Sequence, residues 1–339
     1  MNPSRQVGIA IMGVCLMLLL WACISPVGAN PFIVHLPFGD WAQSLVDWLT
    51  TNARAVFQVI KSPIKFVLDV FMGGLRAAPP TIVIVTVFLI AWQASGLRLA
   101  CFCAAALGFL GFIGVWEDTM LTLALTLSSL LFCLVAGIPL GIATAKSLRV
   151  AAVVRPILDI MQTCPAFVYL IPIVMLVGIG NVPGVAVTVI FALPPLIRLT
   201  ELGIRQVQPD VIEAAKSFGA TPSNILFDVE LPLAWRTIMA GINQTLMMAL
   251  SMVVVASMIA VEGLGLLVLR GIGRLDMGLA AVGGVGIVLL AMVLDRLTQA
   301  ISSRPALVAS SSASSTKPVE LIRSLFTFSW RTRSDGKLQ

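Results

Sequence analysis

The sequence predicts an all-α, polytopic membrane protein: a transmembrane helix bundle of about eight spans. Composition is the first reason. Of 339 residues, 58% are hydrophobic and only 11% charged, with a mean hydropathy of +1.01, whereas a soluble domain carries roughly 25% charged residues. The second is a series of apolar runs near 7–25, 80–97, 99–115, 119–145, 156–180, 182–200, 236–261 and 279–300. Each approaches the roughly 20 residues that cross a bilayer as a helix. The third is an uneven distribution of Lys and Arg between the loops on the two sides.

Taken in order, the first run follows a single Arg5. Val27-Gly28-Ala29 is a tolerable signal-peptide cleavage site, but the length of the run favours an uncleaved anchor. Next comes an external segment with Trp41, Leu45, Trp48, Leu49 and Val56 at helical spacing. It reads as an amphipathic helix on the outer membrane surface or one packed over the bundle, two compatible placements. Residues 59–76 are weakly apolar, and Lys61, Lys65, Asp69 and Arg76 argue against their spanning. The 80–97 and 99–115 runs share a very tight turn at Leu97 and Arg98. Pro139, Pro156, Pro165, Pro172, Pro194 and Pro195 predict kinks or breaks within the later spans. After Ile301 the Ser-rich stretch SSRPALVASSSASSTKP predicts disorder, and VELIRSLFTFSWRTR places apolar residues among arginines suited to anionic lipid. The organisation expected is an N-terminal anchor and external segment over 1–79, a transmembrane domain over 80–301, and a tail over 302–339.

One long polar loop, 201–235, interrupts the second half. Its centre reads EAAKSFGATPSNILFDVELP from Glu213 to Pro232. Asp210 is positioned to cap a first short helix with Glu213 three residues on, and Gly219 to end it in a left-handed turn. Thr221 and Pro222 read as a second cap and first helical position, with Pro232 closing the unit. Two other readings compete. A bare Glu-Ala-Ala is a common helical string, and helix–turn–helix DNA-binding units look much alike. The full spacing speaks against the first, and the shortness of the loop between flanking apolar runs against the second.

With this loop in the cytoplasm, 16 of the 22 Lys and Arg residues fall on the cytoplasmic side. Arg54, Lys61, Lys65, Arg76, Arg270 and Arg274 remain outside, which matches the positive-inside rule and puts both termini in the cytoplasm. The net charge of +6 therefore reads as topology, with no nucleic-acid partner. Trp21, Trp92, Trp116 and Trp235 fall near span ends, where indoles prefer to sit. Cys15, Cys23, Cys101, Cys103, Cys133 and Cys164 lack metal or disulfide spacing and read as small hydrophobes. The single His35 has no partner cluster, so no metal or catalytic residue is expected.

The spacing Glu213-Ala214-Ala215, three residues, Gly219, nine residues, Val229, one residue, Leu231-Pro232 resembles the EAA loop of bacterial ABC importer permeases. Through that loop such a membrane subunit grips its ATPase. RPILDIMQTCPAFVYLIPIVMLVGIGNVPG at 155–184, FALPPLIRLT at 191–200, AGINQTLMMALSMVVVASMIA at 240–260 and RGIGRLDMGLAAVGGVGIVLLAMVLDRLTQAI at 270–301 carry the likeness further. They resemble the permease of the proline/glycine-betaine ABC uptake transporter, a binding-protein-dependent type I importer, from about Trp41 to Ile301. Glu262 departs from the Gly-Gly-Leu-Gly usual there. The resemblance implies the type I (MetI-like) importer fold in the bacterial inner membrane, working as a homodimer of two permease copies. Two cytoplasmic ABC ATPases and a periplasmic substrate-binding protein would complete the system. It also implies that no cofactor binds this chain, ATP and Mg being held by the ATPase.

The chain contains no G-x-x-x-x-G-K-[ST] loop with which to bind ATP itself. Asp159 and Asp295 fall near cytoplasmic span ends, and Glu117, Asp118, Glu262 and Asp276 in or near external loops. The expected spans thus lack a central acid, which weighs against the rival reading, an ion-coupled carrier of compatible solutes. A membrane-embedded enzyme would need a cluster of acids, histidines or metal ligands at one depth. Asn243, Gln244, Ser251 and Ser257 are polar on an apolar span and are candidates for the pathway or for helix packing. A quaternary ammonium calls for an aromatic cage, and the chain has one tyrosine, so solute selection is expected in the separate receptor.

Overall fold

The computed structural model describes Met17, residues 38–52 and residues 54–302. The anchor expected at 7–25, apart from Met17, lies outside them, as do Cys15, Cys23, His35 and the tail from 303 onward. Among the described residues every regular element is helical. Helix α1, Phe38–Asn52, carries Trp41 and Trp48 two turns apart, and both indoles are exposed.

Helix α2, Arg54–Ala77, covers residues expected not to span. It buries Ile64 and Leu68, one turn apart, against Leu125, Val185 and Val261. Its charges have local uses as well: Lys61 Nζ donates to the Val177 carbonyl oxygen at 2.9 Å, satisfying a helix end. At Pro79 the chain turns by 106° into α3, Pro80–Ser95. After Gly96 comes α4, Leu97–Ile113, so the turn falls one residue before the expected position. Ala91 of α3 and Ala100, Cys103 and Ala106 of α4 form the buried seam of this pair.

Helix α5, Trp116–Lys146, is followed by α6, Leu148–Thr163, and α7, Ala166–Val177. The apolar run over 156–180 falls on two helices bent by 100° at Cys164 and Pro165, the latter one of the prolines expected to kink or break a span. Pro165 has no N–H to offer, and its ring disfavours the helical conformation at Cys164, whose ψ is 126°. Pro139, Pro156, Pro172, Pro194 and Pro195 lie inside continuous helices. Helix α8, Asn181–Arg205, leads to the polar loop with α9, Pro209–Ser217, and α10, Pro222–Asn224. Beyond the loop, α11 spans Leu231–Ala256, α12 Leu264–Arg274 and α13 Met277–Ser302.

The core is the packing of α5, α8 and α11. Here helix backbones approach through small residues, as membrane helices do when burying apolar side chains from lipid yields little. Cys133, Ala192, Leu196 and Ala249 form its centre, and Ile204, Ala234 and Ile238 its loop-side end. A Cβ on Gly141 would lie 2.5 Å from Thr200 Cβ. Among the described residues, four helical stretches are long and apolar enough to cross a membrane: α5, α8, Pro222–Ile259 and α13. There are up to six if each of the bent pairs, Lys61–Ala77 with α3 and α6 with α7, forms one span.

Candidate functional site

The continuous helical rod Pro222–Ile259 has 38 residues, about 57 Å at 1.5 Å per residue, nearly twice the hydrocarbon thickness of a bilayer. A rod of this length exceeds the lipid core, and its loop-side end, with Asp228 and Glu230, is the polar one. Helix α9 begins after the extended Gln208 (ψ 131°), with Pro209 at its first position. Asp210 is thus not the cap expected for it. It lies in the first turn, where its charge favours the positive end of the helix, because proline suits the starting position better.

The end of α9 is built as expected from Gly219. Its φ is +80°, Gly219 N–H donates to the Lys216 carbonyl oxygen at 2.9 Å, and Ala220 N–H to that of Ala215 at 3.0 Å. This pair of bonds is the Schellman stop. Thr221 Oγ1 then accepts the Asn224 N–H at 3.3 Å, and Pro222 opens α10. Pro232 does not close the unit. A π-type turn over Ile225–Glu230 carries the helix on, and Pro232 sits exposed just past this turn, inside the continuous helix, at the place where the regular i→i−4 ladder is already interrupted.

Glu213 and Ala214 are exposed, Ala215 is half-buried, and Phe218 at the tip is 92% exposed. Gly219 is open to solvent, while Val229 and Leu231 are half-buried at the base. Ile225 is buried and anchors the second short helix. A cleft of about 380 Å³ separates α9 from the core, with Lys146, Arg205, Ile212, Glu213, Lys216 and Glu230 in its wall.

Sequence reasoning missed the acids at the base of this loop. Glu201 is 5% exposed; Arg155 meets it at 2.6 Å and Arg205, one turn on, at 3.1 Å. Arg205 also donates to the Thr144 carbonyl oxygen at 2.9 Å. Glu230 is 4% exposed and paired with Lys146, whose side chain is 44% exposed. Arg198 and Asp159 form a further, more exposed pair. Buried carboxylates persist as charges only with such partners. Arg205 at i+4 was a readable signal for Glu201; Lys146 is 84 positions from Glu230 and gives none.

The polar residues of α11 separate. Asn243 Nδ2 donates to Asp295 Oδ1 at 2.8 Å, a bond joining α11 to α13, and Gln299 donates to the same oxygen at 2.7 Å. Gln244 and Ser251 are exposed and Ser257 is buried. Both serine hydroxyls bond back to backbone carbonyls of their own helix, at Met248 and Val254.

Residues 137–306, from within α5 through the loop and beyond α13, match the family described as binding-protein-dependent transport system inner membrane component. The chain belongs to this family. The permease is 60% identical over 266 residues to the "Glycine betaine/proline betaine transport system permease protein ProW" of Escherichia coli (strain K12), covering 78% of this chain and 75% of that protein. It is 47% identical over 278 residues to the "Glycine betaine/carnitine transport permease protein GbuB" of Listeria monocytogenes serotype 1/2a (strain 10403S), covering 81% and 98%. With the "Glycine betaine transport system permease protein OpuAB" of Bacillus subtilis (strain 168) it shares 42% over 267 residues, covering 79% and 95%. It is a multi-pass inner-membrane transport subunit, as the sequence led one to expect.

Proposed function

We propose that this permease carries glycine betaine, proline betaine or a related quaternary-ammonium osmoprotectant across the inner membrane, driven by ATP hydrolysis on separate ABC ATPase subunits. A periplasmic substrate-binding protein delivers the solute, and two permease copies form the pathway. ATP and Mg belong to the ATPases. The names carried by the relatives support the solute class, since each includes glycine betaine. The observation that carries the coupling role is the projecting α9, stopped at Gly219, with Glu213, Ala214 and Phe218 turned to solvent. Such a rigid helix, held at its base and free at its tip, suits a groove on a soluble partner.

In this reading Glu213, Ala214, Ala215 and Gly219 enter the ATPase, while Val229, Leu231 and Pro232 shape the return to the membrane. ATP closes the ATPase pair and draws the two α9 helices together. The permease halves then rock from one access state to the other, and hydrolysis resets them. The loop and both termini face the cytoplasm in this reading.

Uptake of radiolabelled glycine betaine decides the class. In cells lacking their own uptake systems, it should require co-expression of the cognate ATPase and binding protein. It should stop on ATP depletion and survive collapse of the ion gradients. Uptake with the opposite dependence would favour the ion-coupled carrier. Sidedness is checked by thiol labelling in a background without accessible native cysteines. Ser223→Cys should react only from the cytoplasm and Asn52→Cys only from outside, and reversal would remove the loop from reach of ATP.

A further inference from the structure

The two chain segments that bound the polar loop both land on the last turn of α5. On the way in, Arg205 donates to the Thr144 carbonyl oxygen at 2.9 Å and pairs with Glu201. On the way out, Glu230, the last residue of the π-type turn, pairs with Lys146. Glu230 is 4% exposed, so its carboxylate has little water to turn to, and Lys146 is the cation that meets it. The end of α5 is in turn locked to α8, because Gly141 leaves no gap before Thr200 and Ile197. A push on the loop thus reaches α5 and α8 as one body, provided the exit segment cannot slip. That segment is the weak point: the π-type turn over Ile225–Glu230 interrupts the regular i→i−4 ladder, and such turns are frequent at functional sites.

We propose that Lys146 and Glu230 form a latch fixing the exit of the coupling loop to α5, so that ATPase movement is delivered to the core instead of being absorbed at Ile225–Glu230. Both are positioning residues, and the proposal rests on the coupling role given to the loop above. Without the latch, the ATPases still dock and hydrolyse ATP while the permease halves follow poorly. A defect of folding alone lowers hydrolysis and uptake together, whereas loss of the latch raises the ATP consumed per solute moved.

The test uses the complete transporter, permease with its ATPase and binding protein, in proteoliposomes, measuring ATP hydrolysis and glycine-betaine uptake in parallel. Glu230→Gln, which keeps shape and removes charge, should retain ATPase docking and hydrolysis within about twofold while uptake per ATP falls about tenfold, the size of an ordinary coupling term. The exchange Lys146→Glu with Glu230→Lys should recover much of that ratio. Should Glu230→Gln fail to accumulate, the exchanged pair carries the test alone: a parental ratio supports the latch, and an exchanged protein that hydrolyses ATP but remains uncoupled overturns it. A parental ratio in Glu230→Gln also overturns it. Gly219→Val serves as the control that keeps the two readings apart. If that variant docks and transports normally, the coupling role of the loop fails; if it is defective while Glu230→Gln is fully coupled, only the latch fails.

Discussion

Gly219, in the polar loop, has φ +80° and nothing within 4 Å of where a Cβ would sit. Gly141, at the α5–α8 contact, is ordinary helix, but its Cβ would fall 2.5 Å from Thr200 Cβ and 3.1 Å from the Ile197 carbonyl oxygen. One glycine is required by backbone conformation in open space, the other by lack of space in an unstrained backbone. The loop is a local device, specified by a few neighbouring residues and built to meet something outside the chain. The core is a non-local one, in which each small residue is set by a partner on another helix. Damage to the first should leave the membrane fold standing, and damage to the second should not.

The largest effect is therefore expected from Gly141→Val. Separating α5 from α8 should cost about 1–3 kcal/mol or more, read as lost yield and lowered thermal stability of the purified subunit. A variant as stable as the parent would show that this contact does not hold the core. Gly219→Val comes next, with a local cost of about 1–2 kcal/mol. Insertion and thermal stability should stay near parental, while ATPase docking weakens and uptake is abolished. Gly219→Asn should be milder, because asparagine tolerates the left-handed region. Normal docking by the valine variant would erase the distinction between loop and core.

Glu213→Lys sharpens the loop side alone. The residue is exposed and its helix intact, so reversal should act at the partner, weakening docking by about tenfold, or ~1.4 kcal/mol, in a pull-down titration. The smallest effect is expected from Asn243→Ala. It removes one interhelical bond to Asp295, worth about 0.6 kcal/mol between membrane helices, and should lower thermal stability slightly while sparing ATPase docking. Lost docking in this variant would mean that the α11–α13 contact and the loop are not independent.

What was legible in the sequence was local. The spans of α5, α8 and α13 follow from unbroken apolar length, and the stop at Gly219 from a left-handed residue followed by Thr221 and Pro222, all within one turn of one another. Asp210 and Pro232 were misplaced because proline is ambiguous on its own. At Pro209 it opens a helix, at Pro165 it breaks one, and at Pro232 it lies within one. The sequence by itself determined that this is a membrane bundle with one helical loop projecting from it. Only the tertiary structure decided the size of the bend, 100°, between α6 and α7, the seating of Gly141 on Thr200, and the pairing of Glu201 with Arg155 and of Glu230 with Lys146. Most of these partners are far apart along the chain. Charge pairing and close packing depend on distance in space, which residue spacing reports only within a single helix.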